Sequence, residues 1–124
     1  MSNYTINITV QTSYLDEHSE PENKRFAFAY TISIENRSDV ATQLMSRYWL
    51  ITDANNSTQE VQGEGVVGEQ PLILPGEKYT YSSGAILETT GGTMEGSYTM
   101  QTPEGQTFDV PIPAFSLTRP QSLH

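Results

Sequence analysis

The chain has no cysteine, so disulfides, iron–sulfur clusters and thiolate zinc sites are all excluded. It has two histidines, His18 and His124, so no histidine-based metal motif can be written. Basic residues are scarce. Six Lys and Arg stand against fifteen Asp and Glu, for a net charge of −9 at pH 7. A surface this acidic repels phosphate backbones, and no Lys/Arg cluster offsets it, so neither nucleic acid nor an anionic membrane is expected as a partner. No apolar run approaches the roughly 18 residues of a membrane-spanning helix. The first residues, Met1 to Thr5, carry neither a basic stretch nor an apolar core, which gives the expectation of a cytoplasmic protein. Helical periodicity is missing as well, since no window of ten or so residues holds a 3.6-residue apolar repeat.

A repeat of period two is present instead. Phe26, Phe28, Tyr30, Ile32 and Ile34 alternate with Ala27, Ala29, Thr31, Ser33 and Glu35, which puts the first set on a buried strand face. The same pattern runs through Tyr4, Ile6, Ile8 and Val10, returns in Met94, Tyr98 and Met100, and again in Phe108, Val110 and Ile112. Turn-forming clusters separate these runs. Asn36-Arg37-Ser38-Asp39 is expected to close a hairpin onto a strand from Val40 to Thr52. Further loops fall at 53–57, 89–92 and 103–105, and a long polar loop at 15–23. Pro111 and Pro113 cannot donate to a ladder, so their strand belongs at an edge or carries a bulge. The chain reads as one all-β domain over 1–124, an immunoglobulin/fibronectin type III-like β-sandwich of seven to eight antiparallel strands, with 118–124 a loosely ordered tail. Within Leu74-Pro75-Gly76-Glu77-Lys78-Tyr79, Tyr79 is the candidate for the tyrosine whose hydroxyl pins the crossing between sheets.

Three constellations bear on function. Gly63-Glu64-Gly65-Val66-Val67-Gly68 fits a dinucleotide-binding spacing, making Gly63, Gly65 and Gly68 candidates for a pyrophosphate or nucleotide, with Arg47 as compensating charge. Pro71 and Pro75 deny the loop its usual following helix, so a structural glycine turn is the reading preferred here. Asp16, Glu17, His18 and Glu20 offer hard metal ligands, without the glycine and spacing of a calcium loop, and a solvated acidic loop is preferred. In Arg47-Tyr48-Trp49-Leu50-Ile51, strand alternation sets Arg47, Trp49 and Ile51 on one face. Trp49 is read as the central core residue, the alternative being an Arg47–Trp49 interface anchor. No nucleophile–base pair or paired carboxylate can be assigned, so no catalytic residue, enzyme activity or cofactor is expected.

These blocks, with Pro75-Gly76-Glu77, Ser83-Gly84-Ala85, Gly92-Thr93-Met94-Glu95-Gly96-Ser97-Tyr98 and Ile112-Pro113-Ala114-Phe115, resemble the ApaG family of small bacterial proteins over almost the whole chain. The resemblance implies a fibronectin-type sandwich. It also implies a protein-binding role, because similar domains sit in eukaryotic F-box and polymerase-delta-interacting proteins. The family is linked by name to cobalt and magnesium resistance, and its gene neighbourhood to diadenosine polyphosphates. It brings no established catalytic residues. The expectation is a non-enzymatic protein-interaction module, monomeric or homodimeric. The alternatives are a pyrophosphate or nucleotide binder and an accessory protein in cobalt and magnesium resistance.

Overall fold

Strand β2 (Phe26–Asn36) shows why the chain folds as it does. Phe28, Ile32 and Ile34 are at most 1% exposed, and the intervening Ala29, Thr31, Ser33 and Glu35 are only half-buried. The computed structural model describes residues 4–120. Its other strands are β1 (Ile6–Tyr14), β3 (Thr42–Asp53), β4 (Thr58–Glu64), β5 (Leu72–Ile73), β6 (Lys78–Leu87), β7 (Gly91–Gln101) and β8 (Thr107–Thr118). One sheet has the order β1-β2-β6; the other runs β4-β3-β7-β8, with β5 paired to β3. Every pairing is antiparallel. The architecture is an all-β, immunoglobulin/fibronectin type III-like sandwich. The polar loop after β1 forms two short 3₁₀ turns, Asp16–His18 and Pro21–Asn23, with no buried residue in either.

The expected hairpin at Asn36–Asp39 does not form. Strand β2 is already flanked by β1 and β6, so β3 has no free edge to join there, and the chain crosses to the other sheet. Asn36 makes the crossing workable from full burial. Its Nδ2 donates to the carbonyls of Val40 and Ile73, both at 2.9 Å, and its Oδ1 accepts from the Ser38 N–H at 2.9 Å. A buried crossing has to satisfy its backbone polar groups, and one amide side chain answers three of them.

The corner tyrosine is also not where the sequence placed it. The Tyr79 hydroxyl donates to a side chain, Glu69 Oε2, at 2.9 Å. The sheets are instead joined by Tyr81 on β6 and Tyr98 on β7, whose hydroxyls meet at 2.5 Å inside the core. Tyr79 and Tyr81 share a face by strand alternation, but only Tyr81 lies deep enough to reach across. Trp49 fills the centre, 2% exposed, with edge-on contacts to Tyr30 at 5.5 Å, Phe115 at 5.8 Å and Tyr98 at 6.4 Å.

Strand β8 is an edge strand, and its register with β7 slips between Met94 and Gly96, opposite Pro113 and Ala114. That slip takes a proline out of the ladder. The end of β8 is better anchored than expected. Thr118 pairs with Gly91, the Arg119 N–H donates to the Thr90 carbonyl at 2.9 Å, and the Arg119 guanidinium lies 5.6 Å from the Tyr14 ring centre. The remainder of the tail, with His124, falls outside the described residues.

Candidate functional site

The two long sides of the sandwich differ. On one, β1 and β8 pack together and Tyr4 stacks on Phe108 with ring centres 4.3 Å apart. On the other, β4 ends one sheet and β6 the other, and a cleft of about 630 Å³ opens between them. Val61 and Gln59 of β4 face Ser83 and Ala85 of β6 across it, and Phe28, Tyr30, Trp49 and Met94 form its floor. The gap exists because β6 carries small side chains, Ser83 and Ala85, at inward positions where Tyr81 and Leu87 on either side are buried.

Strand β6 is also an unguarded edge; β1, the other edge of its sheet, likewise lacks proline and charge but packs against β8. The Asn36 N–H donates to the Glu77 carbonyl at 2.9 Å, and the pairing continues unbroken from Glu35↔Lys78 to Phe26↔Leu87. In an antiparallel ladder this phase directs odd-numbered residues of β6 toward β2, leaving the N–H and C=O of Ser82, Gly84 and Ile86 on the free edge. No proline or charge occurs from Tyr79 to Leu87, and the outward Ile86 side chain is 49% exposed. Natural edges are ordinarily blunted by such features. Strand β8 has two prolines and a bulge, and β4 carries Glu60 and Glu64.

The glycine-rich segment closes β4 and turns back. The Val66 N–H donates to the Glu69 carbonyl at 2.8 Å and the Glu69 N–H returns the bond at 2.9 Å, a two-residue hairpin turn. Its central residues, Val67 at φ 43° and Gly68 at φ 82°, both have the positive φ that such a turn requires. Gly65 sits at φ 64°, where a Cβ would collide with the Glu69 carbonyl, and its N–H donates to the Met45 carbonyl at 2.9 Å. The amides of Gly65, Val66 and Glu69 are thus engaged within the fold. Extended chain, not helix, follows the turn.

Arg47 does stand beside Gly63, its ladder partner on β4. The guanidinium lies over the glycine, where an added Cβ would be 2.7 Å from Nη1 and 3.0 Å from Cζ. Nη1 donates to the Gly65 carbonyl at 2.9 Å and to that of Glu64 at 3.2 Å. Arg47 shares the inward face with Trp49, so the pair borders the cleft and does not form an anchor on the outer surface. Asp16, Glu17, His18 and Glu20 are exposed, and no three Asp, Glu or His side chains gather into a metal-sized cluster among the described residues.

Burial pushes the Tyr81 and Tyr98 phenols far above the ordinary value of 10.0. Desolvation raises Tyr79 too, with Glu69 on its hydroxyl adding to the effect. Sequence reasoning missed the tyrosine pair and the cleft, because both depend on which strands end each sheet. One local signal was available. The run Ser82-Ser83-Gly84-Ala85 lacks the large inward side chains found elsewhere on β6.

The molecule is therefore a two-sheet antiparallel sandwich with a cleft on one side and β6 as an unguarded edge beside it. A family model described as the ApaG domain matches residues 16–102. The chain belongs to the ApaG family. It is 55% identical over 121 residues to Protein ApaG of Pseudomonas paraeruginosa, covering 98% of this chain and 96% of that one. Protein ApaG of Thiobacillus denitrificans is 58% identical over 121 residues, covering 98% and 95%. Among solved structures, a Bordetella pertussis protein described as an ApaA protein superposes with a TM-score of 0.93 at 42% identity, covering 98% of both chains.

Proposed function

We propose that the protein is a non-enzymatic binding module that takes an extended segment of a partner protein as an added strand along β6. The observation that carries this reading is the row of outward ladder groups at Ser82, Gly84 and Ile86, with neither proline nor charge to guard them. Strand addition draws affinity from main-chain hydrogen bonds and specificity from alternate side chains, and β6 offers both a free ladder and an adjoining cleft. The absence of an assignable nucleophile–base pair or paired carboxylate in the sequence is consistent with binding as the task.

The test is a peptide-display selection followed by amide mapping. Selected peptides are expected to perturb the amides of Ser82, Gly84 and Ile86, and to lose binding when their own backbone is N-methylated at alternate positions. Ser82→Pro removes one outward N–H without touching the β2 ladder and is expected to abolish binding. Peptides that bind elsewhere, or whose binding survives both changes, would contradict the reading. Pairing of β6 with β6 of a second copy would appear in the same experiment as a concentration-dependent dimer.

A further inference from the structure

The cleft between β4 and β6 has a charge character opposite to that of the rest of the molecule. The protein carries fifteen acidic and six basic residues, yet among the described residues the cleft lining includes Arg25, Arg47 and His18 and not one carboxylate. Arg47 is half-buried and makes no ion pair among the described residues. Its bonds to the Glu64 and Gly65 carbonyls use only Nη1, so Nε and Nη2 have no side-chain acceptor there. Arg25 has one distant ion-pair contact, with Glu20 at 3.9 Å. By strand alternation Glu64 points to the other face of β4.

A partly desolvated, unpaired guanidinium is costly to keep, and its free planar edge matches a carboxylate or phosphate in two-point contact. The floor below it is aromatic and apolar, with Trp49, Tyr30 and Phe28, and the volume of about 630 Å³ falls within the ordinary range for small-molecule sites. We propose that this cleft binds a small organic anion with a flat apolar body, the body lying over Trp49 and between Val61 and Ala85, the anionic group held by Arg47 with Arg25 at the rim. The Coulombic pull of Arg47 on the Tyr81 and Tyr98 phenols is consistent with its charge being directed into the sandwich. The proposal rests on the cleft lining and not on the free ladder of β6. The shared chemistry it requires is an oxyanion on a hydrophobic frame, whether carboxylate or phosphate monoester.

Trp49 is the only tryptophan, so its indole N–H gives one nitrogen–proton resonance that reports directly on the cleft floor. The labelled protein is titrated with 2-naphthoate, 2-naphthyl phosphate and the neutral 2-naphthalenemethanol. At least one of the two anions is expected to shift the Trp49 indole resonance and the Ser83 and Ala85 amides saturably. It should bind about tenfold or more tighter than the alcohol, the increment of one charge-assisted contact. Response to the phosphate alone assigns the site to phosphate monoesters; response to both assigns it to oxyanions generally. Arg47→Gln should bring anion affinity down to that of the alcohol. Ala85→Phe should abolish binding of all three with an unchanged melting temperature, and Ser82→Pro should leave anion binding intact. Equal affinity for alcohol and anions, or an indole resonance that neither anion moves, overturns the proposal. That comparison is made on the unmodified protein and does not depend on any variant folding.

Discussion

The hydroxyls of Tyr81 and Tyr98 meet 2.5 Å apart in the core, so a side-chain hydrogen bond ties the three-stranded sheet to its partner. Each hydroxyl is the other's partner, and removing one strands the other in an apolar setting. Tyr81→Phe and Tyr98→Phe should each cost about 1–3 kcal/mol in urea unfolding, while the double variant should cost less than the sum. Strictly additive losses would show that the two hydroxyls find other partners.

The same pair sets an alkaline limit. Burial raises both phenols above their unfolded value of 10.0, so the fold favours the neutral forms. A raised folded pKa contributes stability that is complete below the unfolded value and is lost as pH climbs beyond it. Urea midpoints should hold steady from roughly pH 8 to 10 and fall above that, and the fall should be shallower in the double Phe variant. A midpoint independent of pH across this range would refute the assignment.

Gly63 makes room for the Arg47 guanidinium, where an added methyl would stand 2.7 Å from Nη1. Gly63→Ala should therefore displace the end of a flexible side chain from the Gly65 carbonyl, at a cost of about 1 kcal/mol, the worth of the hydrogen bond lost. In an Arg47→Ala background the same change should cost far less, which a double-mutant cycle measures. An equal penalty in both backgrounds would place the strain in the β4 backbone.

Val67 holds a left-handed conformation, φ 43°, with its side chain 56% exposed, so it carries backbone strain and gains little burial. Val67→Asn suits the first central position of such a turn and should raise stability by about 1 kcal/mol. A thermal melt that does not rise would argue against this turn geometry in solution.

How far the sequence foretold the structure depends on whether a feature was local. Strand alternation in Phe26 to Ile34 and the inward parity of Trp49 were legible because a period of two fixes faces regardless of topology. The prolines of β8 announced an edge strand for an equally local reason. Asn36 to Asp39 misled, since the same residue types serve a hairpin and a crossing between sheets, and only the occupied edges of β2 decide between them. Tyr79 and Tyr81 share parity, so depth alone separates them. The glycine spacing matched a nucleotide fingerprint, but two of its three glycines take positive φ beside a tight turn and the third admits an arginine. The cleft was illegible because β4 and β6 meet only as the ends of different sheets, and local sequence does not show which strand ends a sheet.

Strand addition requires β6 to be a free edge, and amide hydrogen exchange tests this most directly. In the free protein the amides of Ser82, Gly84 and Ile86 should exchange rapidly while those of Tyr81, Ser83 and Ala85, bonded to β2, stay protected. In the presence of a selected peptide the first three should become protected, and the alternation should disappear. Slow exchange at Ser82, Gly84 and Ile86 in the free protein, or continued fast exchange there in the complex, would contradict strand addition at this edge.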